Sequence, residues 1–363
     1  MSTSKIVLPA EWQPQAAVLL TWPHAHSDWW PWLTEVDRTF TLLSAEISRW
    51  QAVIIGCYDA AHRNHVQILL RAAGAVAERI QLYCVPSNDA WARDHGPITV
   101  YRDGVPVLLN FRFNGWGGKF AHELDDEITA RLHRLNAFGA TPIQPVDLIL
   151  EGGSIESDGQ GTLLTTSRCL LAPTRNGLSR EVLEQRLREL LGIERFLWLD
   201  QGHLSGDDTD SHIDTLARFC DPGTIAYQTC TNPADSDYAS LQAMEQELRT
   251  FRTLAGEPYR LVPLPWPRPR YSEEGQRLPA SYANFLIINE AVLAPTYDDP
   301  ADAPALACLR ACFPGREVSG IPALPLIQQY GSLHCVTMQL PAGVLSGCHH
   351  GWCWSHALSS TAV

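Results

Sequence analysis

Five polar segments, around Asp94, Glu151, His212, Asn284 and Cys335, recur in this chain at intervals of 57, 61, 72 and 51 residues. Between them, short β-rich runs and helical patterns follow one order: strand, strand, helix, strand. A period of this size suggests repeated supersecondary units, each too small to bury its own apolar face. No sequence identity between the units is visible by eye, so the repeat rests on the order of elements. The pattern predicts strands at 52–57 and 81–85 with a helix over 60–74 between them. Runs 148–155 and 161–166 flank Ser157-Asp158-Gly159-Gln160 and predict a hairpin. A helix over 180–191 stops at Gly192, followed by a strand at 196–199. Further on come a helix over 237–255, a strand at 260–264, and a hairpin from 285–288 and 291–294. A helix over 301–312 and a strand at 335–339 complete the series. The segment 263–279, with five prolines and three arginines, reads as a long loop over a site rather than a linker.

The chain has 363 residues, of which 45% are hydrophobic and 18% charged, which predicts a globular α/β protein with a sizeable core. Residues 1–345 read as one catalytic domain and 346–363 as a disordered tail. The net charge of -13 argues against nucleic acid or an anionic membrane as partner and suits a small cationic one. No apolar run approaches the ~20 residues that span a bilayer. The start lacks the apolar core of a secretion signal, so a cytoplasmic protein is expected. The ten cysteines are scattered and predict free thiols rather than a disulfide framework.

Residues 206–219 carry the densest chemistry. Asp207, Asp208, Asp210 and Asp214 surround His212, and like charges so crowded call for a cation among them. On an extended strand, His212 and Asp214 would share a face as an oriented acid/base pair. Cys335 follows a Gly-Ser turn that could expose it. Taken alone it fits a buried inert cysteine better than a nucleophile, since a reactive thiolate needs a base or cation beside it. His334 would face the other way on a strand. Glu151 precedes paired glycines at the end of an apolar run, and fits either an acid at a strand end or a capped hairpin. Asp89, Trp91, Arg93 and Asp94 form a loop after a strand, where two acids and an indole face would suit a flat cation. An internal Arg-Asp turn is the alternative.

Three other chemistries fit less well. Gly115-Trp116-Gly117-Gly118-Lys119 lacks the spacing of a phosphate loop. Asp208, Asp210, His212 and Asp214 alternate like a calcium loop but lack its glycine and its terminal glutamate. The tail residues Cys348, His349, His350, Cys353 and His356 are of zinc-binding type, without a second ligand pair.

Read jointly, Glu11-Trp12, Thr21-Trp22-Pro23, the 88–97 loop, Phe113 to Lys119, Glu151 to Ile155, Asp207 to Asp214, Ser281 to Phe285 and His334-Cys335 run in the order of one family. The chain resembles the agmatine deiminases and bacterial-type peptidylarginine deiminases of the pentein, guanidine-modifying superfamily. The resemblance implies an α/β fold, a five-bladed pentein propeller of ββαβ modules around a central site. It implies Cys335 as nucleophile, His212 as general acid/base with Glu151 beside it, and Asp94 and Asp214 gripping the guanidinium. Trp91 would line the entrance, and Asp89, Asp208 and Trp116 would complete the substrate site. The spare acids Asp207, Asp208 and Asp210 would attract a far amine. No cofactor or metal is implied, the partner is a small cationic guanidine, and a homodimer would be unsurprising. The chain departs from the family at Ser211 and Glu156, and in the Gly331-Ser332-Leu333 approach to the cysteine. Alternatives on the same scaffold are deimination of peptidylarginine, arginine or another alkylguanidine, an amidinotransferase, and a non-catalytic binder of cations. A metal-dependent hydrolase lies outside that chemistry.

Overall fold

The computed structural model describes residues 5–346; the Cys/His-rich tail lies outside the described residues. Five small sheets repeat one connection. An antiparallel hairpin is followed by a helix and by a strand parallel to the hairpin's second member. Ile98–Arg102 and Val105–Arg112 are joined by Ile143–Ile149 after the helix Ile128–Arg134. Ile155–Ser157 and Thr162–Thr166 are joined by Arg195–Leu199 after Arg180–Leu191. Ala217–Asp221 and Thr224–Gln228 are joined by Arg260–Leu264 after Tyr238–Leu248. Leu286–Ile287 and Ala291–Thr296 are joined by Glu317–Pro322 after Asp302–Cys312.

The remaining sheet is assembled from both ends of the described chain. Thr337–Pro341 pairs antiparallel with Gln15–Thr21, which continues in parallel to Ala52–Cys57 and Ile80–Cys84. These are the ββαβ units of the predicted pentein α/β fold. Parallel neighbours need crossover connections, and the helices that supply them cover the sheets with apolar stripes such as Leu183, Leu187 and Leu191.

The units position the site through one recurring feature. Asp94, Glu151, Asp214, Asn284 and Cys335 each lie in the few residues before the first strand of a unit. Five equivalent strand entries therefore deliver five polar side chains.

Three predicted elements differ in extent. The run 148–155 is broken: Ile143–Ile149 ends one sheet, Gly152–Ser154 turns, and Ile155–Ser157 starts another. Ser154 fixes that turn by donating its hydroxyl to the Glu151 carbonyl at 2.6 Å. The predicted 237–255 helix stops at Leu248, short of β-branched Thr250 and Thr253, which disfavour helix. The last strand begins at Thr337, so Cys335 sits in the turn before it. Segment 263–279 holds a short hairpin, Arg270–Tyr271 with Arg277–Leu278.

Candidate active site

The 206–216 loop resolves its own charge. Asp207 accepts from the Thr209 hydroxyl at 2.5 Å and from the Ser211 amide at 2.7 Å. Asp210 pairs with Arg175 at 2.5 Å and Lys119 at 3.1 Å. Those two acids are occupied within the fold, which corrects the expectation that they attract a substrate amine. Asp208 alone of the three spare acids lines the cavity that holds Cys335. The expected strand at His212 and Asp214 is replaced by a 3-10 turn over Ile213–Thr215. Asp210 and Ser211 before it both adopt φ of 67°. Such left-handed backbone is strained for these residues, and it turns the histidine inward.

The fully buried His212 is held from behind. Its Nε2 lies 3.3 Å from Glu151 Oε2, and Arg175 Nε donates to the other carboxylate oxygen at 2.9 Å. The opposite nitrogen, Nδ1, makes no hydrogen bond and lies 3.7 Å from Asp94 Oδ1. Burial by itself would lower the His212 pKa, but Asp94, Cys169 and Glu151 raise it well above the ordinary histidine value. Glu151 remains ionised despite burial, because His212 and Arg175 face it.

Asp94 and Asp214 are both buried. Asp94 accepts from Trp116 Nε1 at 2.9 Å and from the Gly153 amide at 3.0 Å. Burial, with Asp214 and Glu151 nearby, pushes its carboxyl up to about 6. Asp214 Oδ2 accepts from His334 Nδ1 at 2.7 Å, while Oδ1 is buried without a partner. Burial would raise Asp214, but His334 and then His212 hold it below the usual carboxylate range. Gly153 stands between the groups. A Cβ there would come 2.6 Å from His212 Nδ1, 2.9 Å from Asp94 Oδ1 and 3.1 Å from Asp214 Oδ2.

Cys335 reaches this space from the last unit. Its Sγ lies 3.5 Å from Asp214 Oδ2 and 3.2 Å from Asn284 Nδ2. Burial, then Asp214 and Asp94, raises the thiol well above its ordinary pKa. The cavity around it is lined by Asp89, Trp91, Asp94, Trp116, Asp208 and His212, among others. Burial pushes Asp89 up to about 6, and burial with Asp207 pushes Asp208 up to about 7. Among the described residues, no arginine or lysine lines it.

The structure thus brings all nine residues singled out in the sequence to one place, with Glu151 and Asp214 just behind the cavity wall. Four contributors carry no predicted role. Asn284 Oδ1 accepts from the His334 and Cys335 amides at 2.9 and 3.3 Å. Arg175 orients Glu151. His334 bridges Asp214 to Glu11, whose Oε1 is 2.7 Å from Nε2. It therefore points at the site's acids rather than away. Arg93 pairs with Glu11 at 3.2 Å and donates its amide to the Cys335 carbonyl at 3.1 Å. Its guanidinium serves the His334-Cys335 turn, donating to the His334 carbonyl at 3.3 Å, not an internal bridge to Asp94. Glu11 and Asn284 belong to motifs visible in the sequence; Arg175 had no distinguishing signal there.

A second thiol, Cys169, lies 3.6 Å from Glu151 Oε2. Glu151, Cys169 and His212 offer ligand atoms within 4.8 Å of one another, the one such group among the described residues. Arg175 and the Glu151–His212 contact already engage its carboxylate. Cys169 is fully buried and lines no part of the Cys335 cavity.

The sequence profile of Porphyromonas-type peptidyl-arginine deiminases matches residues 7–341. A Yersinia pseudotuberculosis protein carrying the provisional name agmatine deiminase is 34% identical over 357 residues, covering 92% of this chain and 95% of its own. The structure of a Cys-to-Ser variant of C. jejuni agmatine deiminase with substrate bound superposes with a TM-score of 0.86 at 35% identity, covering 94% of this chain and 97% of that one. A Porphyromonas gingivalis structure provisionally named arginine deiminase gives a TM-score of 0.86 at 49% identity, covering 93% and 99%. The chain belongs to this agmatine and Porphyromonas-type peptidyl-arginine deiminase family of hydrolases acting on guanidine C–N bonds.

Proposed function

We propose that the protein hydrolyses agmatine to N-carbamoylputrescine and ammonia through a covalent adduct on Cys335. The observation that carries this reading is the lining of the Cys335 cavity, which holds Asp89, Asp94 and Asp208 and, among the described residues, no arginine or lysine. A free amino acid would need a cation for its α-carboxylate. Agmatine, charged at both ends, needs carboxylates at both, and Asp208 is suited to the distal amine.

The chemistry follows from the charges. A guanidinium is planar, always protonated near neutral pH, and presents forked N–H donors. Settling between Asp94 and Asp214, it would satisfy the unpartnered Asp214 Oδ1 and offset the negative charge that keeps Cys335 protonated. As the guanidinium binds, the Cys335 thiol releases its proton to solvent, and the thiolate attacks the guanidinium carbon. His212 donates its Nδ1 proton to the departing amine, ammonia leaves, and an S-alkylthiouronium remains. His212 next removes a proton from water, which attacks the same carbon, and collapse passes the remaining hydroxyl proton to sulfur, expelling the Cys335 thiol and the ureido product. Glu151 keeps the ring aligned and stabilises its charged form. No metal enters the scheme, so chelator treatment should leave the rate unchanged. A single catalytic domain within residues 1–345 and a cytoplasmic site of action accord with this small charged substrate.

The 49% identity to the Porphyromonas gingivalis protein favours arginine as a second reading. Ammonia release from agmatine, arginine, a blocked arginyl peptide and methylguanidines decides between them, with Cys335→Ala as control. Agmatine-selective release that depends on Cys335 is the expected result. Preferential turnover of arginine would move the substrate and keep the mechanism. Substantial activity in Cys335→Ala would rule out the adduct.

A further inference from the structure

Tyr330 has a backbone φ of 69°, in the left-handed region that an aromatic residue rarely adopts. Its neighbours explain why it is forced there. On one side the Tyr330 amide donates to the Ile327 carbonyl at 3.0 Å, closing the short helix Leu324–Ile327. On the other, Gly331 is pressed onto Trp91, where a Cβ would come 2.2 Å from the indole. Beyond it the chain is pinned by the Ser332–Tyr297 hydroxyl contact at 3.1 Å and by Asn284 on the His334 and Cys335 amides. The reversal between these anchors falls on one residue. Glycine would meet the backbone demand without strain, yet a tyrosine stands there.

The side chain spans from the cavity to the surface. Tyr330 lines the Cys335 cavity together with Trp91 and Asp208, and its hydroxyl reaches the exposed Gln276 Oε1 at 3.1 Å. Gln276 closes the turn of the Arg270–Leu278 hairpin, its carbonyl accepting from the Ser272 amide at 2.8 Å. That hairpin is anchored by Arg277 on Asp235 at 3.2 Å. A Cβ at Gly206 would come 2.0 Å from the Arg277 carbonyl oxygen, so the hairpin also abuts the acidic loop. The ring therefore stands between the nucleophile's cavity and a fixed hairpin at its rim.

We infer that Tyr330 is a specificity-determining residue that narrows the mouth of the cavity, admitting a slim alkylguanidine and rejecting an arginyl residue carried on a peptide. The inference rests on the deiminase reading and adds what limits its substrate. Backbone strain at a residue that faces the cavity accords with a functional placement.

Two measurements on the full-length enzyme test it. The first is kcat/KM for agmatine and for an N-acylated arginine amide in the parent, Tyr330→Gly and Tyr330→Phe. Tyr330→Gly keeps the backbone geometry and removes the ring, and should raise the ratio of bulky to slim substrate by at least about tenfold, the scale on which pocket fit discriminates. Tyr330→Phe keeps the ring and should stay at the parent ratio. The second needs no turnover. Alkylation of Cys335 by iodoacetamide and by a bulky iodoacetamide conjugate is followed by peptide mass spectrometry, and Tyr330→Gly should accelerate only the bulky reagent. An unchanged substrate ratio and unchanged bulky alkylation in Tyr330→Gly would overturn the inference. Loss of all guanidine turnover in the parent, with the alkylation result as expected, would instead sink the deiminase reading and leave the gate standing.

Discussion

Cys335 and Cys169 both lie near His212, but only Cys335 faces the cavity. Cys169 lies outside that lining, 3.6 Å from Glu151 Oε2, and burial with that carboxylate lifts its thiol to about 11. Cys335→Ala should therefore abolish turnover, and Cys169→Ala should retain most of it, with ammonia release measured on both. Gly153→Ala should be as damaging as loss of the nucleophile, because the added methyl would fill the space between His212, Asp94 and Asp214. The pH profile follows from two shifts. The raised Asp94 carboxyl loses its charge as pH falls through about 6, so kcat/KM drops on the acid side. The raised His212 must keep its proton to act on the leaving amine, so the basic limb lies above the ordinary histidine value. A profile that stayed flat down to pH 5 would contradict the Asp94 assignment. Asp208→Asn should raise KM for agmatine about tenfold with little change in kcat, as expected for binding not specific to the transition state.

The elements that carry these residues are short turns, and their precision comes from clamps rather than from regular structure. Asn284 holds the His334-Cys335 turn by two amide bonds, and Arg93 holds the Cys335 carbonyl from the other side. Asn284→Ala should leave the fold intact and lower kcat by about a hundredfold, the typical cost of a 1 Å misplacement of a reacting group. Steady-state kinetics with an unchanged circular dichroism spectrum would check it. These clamps mark the limit of what was legible in the sequence. The apolar period marked elements such as Ala52–Cys57 and Arg180–Leu191 but left Gln15–Thr21, Leu33–Ser48, Ile98–Arg102, Val105–Arg112 and Glu317–Pro322 unmarked, and charge crowding marked the 206–214 loop. Local periodicity could not show that 148–155 splits between two sheets, because glycines 152 and 153 turn the chain there. It placed Cys335 on a strand, and so turned His334 the wrong way. Arg175 carries no signal in the sequence, because its partner Glu151 lies in another segment. The pairing of Asp210 was hidden for the same reason: Arg175 and Lys119, which neutralise it, are remote in the chain.

At the scale of the whole molecule, each sheet contributes one strand entry to the centre, so no unit holds a complete site. The net charge of -13 surrounds a cavity that is itself acidic. Capture of a dication should then be steered electrostatically, and kcat/KM for agmatine should fall as ionic strength rises while kcat holds. Stopped-time assays across a salt series would show it, and a salt-independent kcat/KM would argue against steering.

The pairing of Thr337–Pro341 with Gln15–Thr21 has a consequence for the order of events on the ribosome. The sulfur-bearing turn is made after the other four strand entries, and its strand must dock beside one synthesised near the beginning. Until that docking occurs, a nascent chain has its carboxylates and its imidazole but not the Cys335 thiol in place. On the proposed mechanism, catalytic competence would thus be a late act of biosynthesis, gated by pairing between two strands from opposite ends of the described chain.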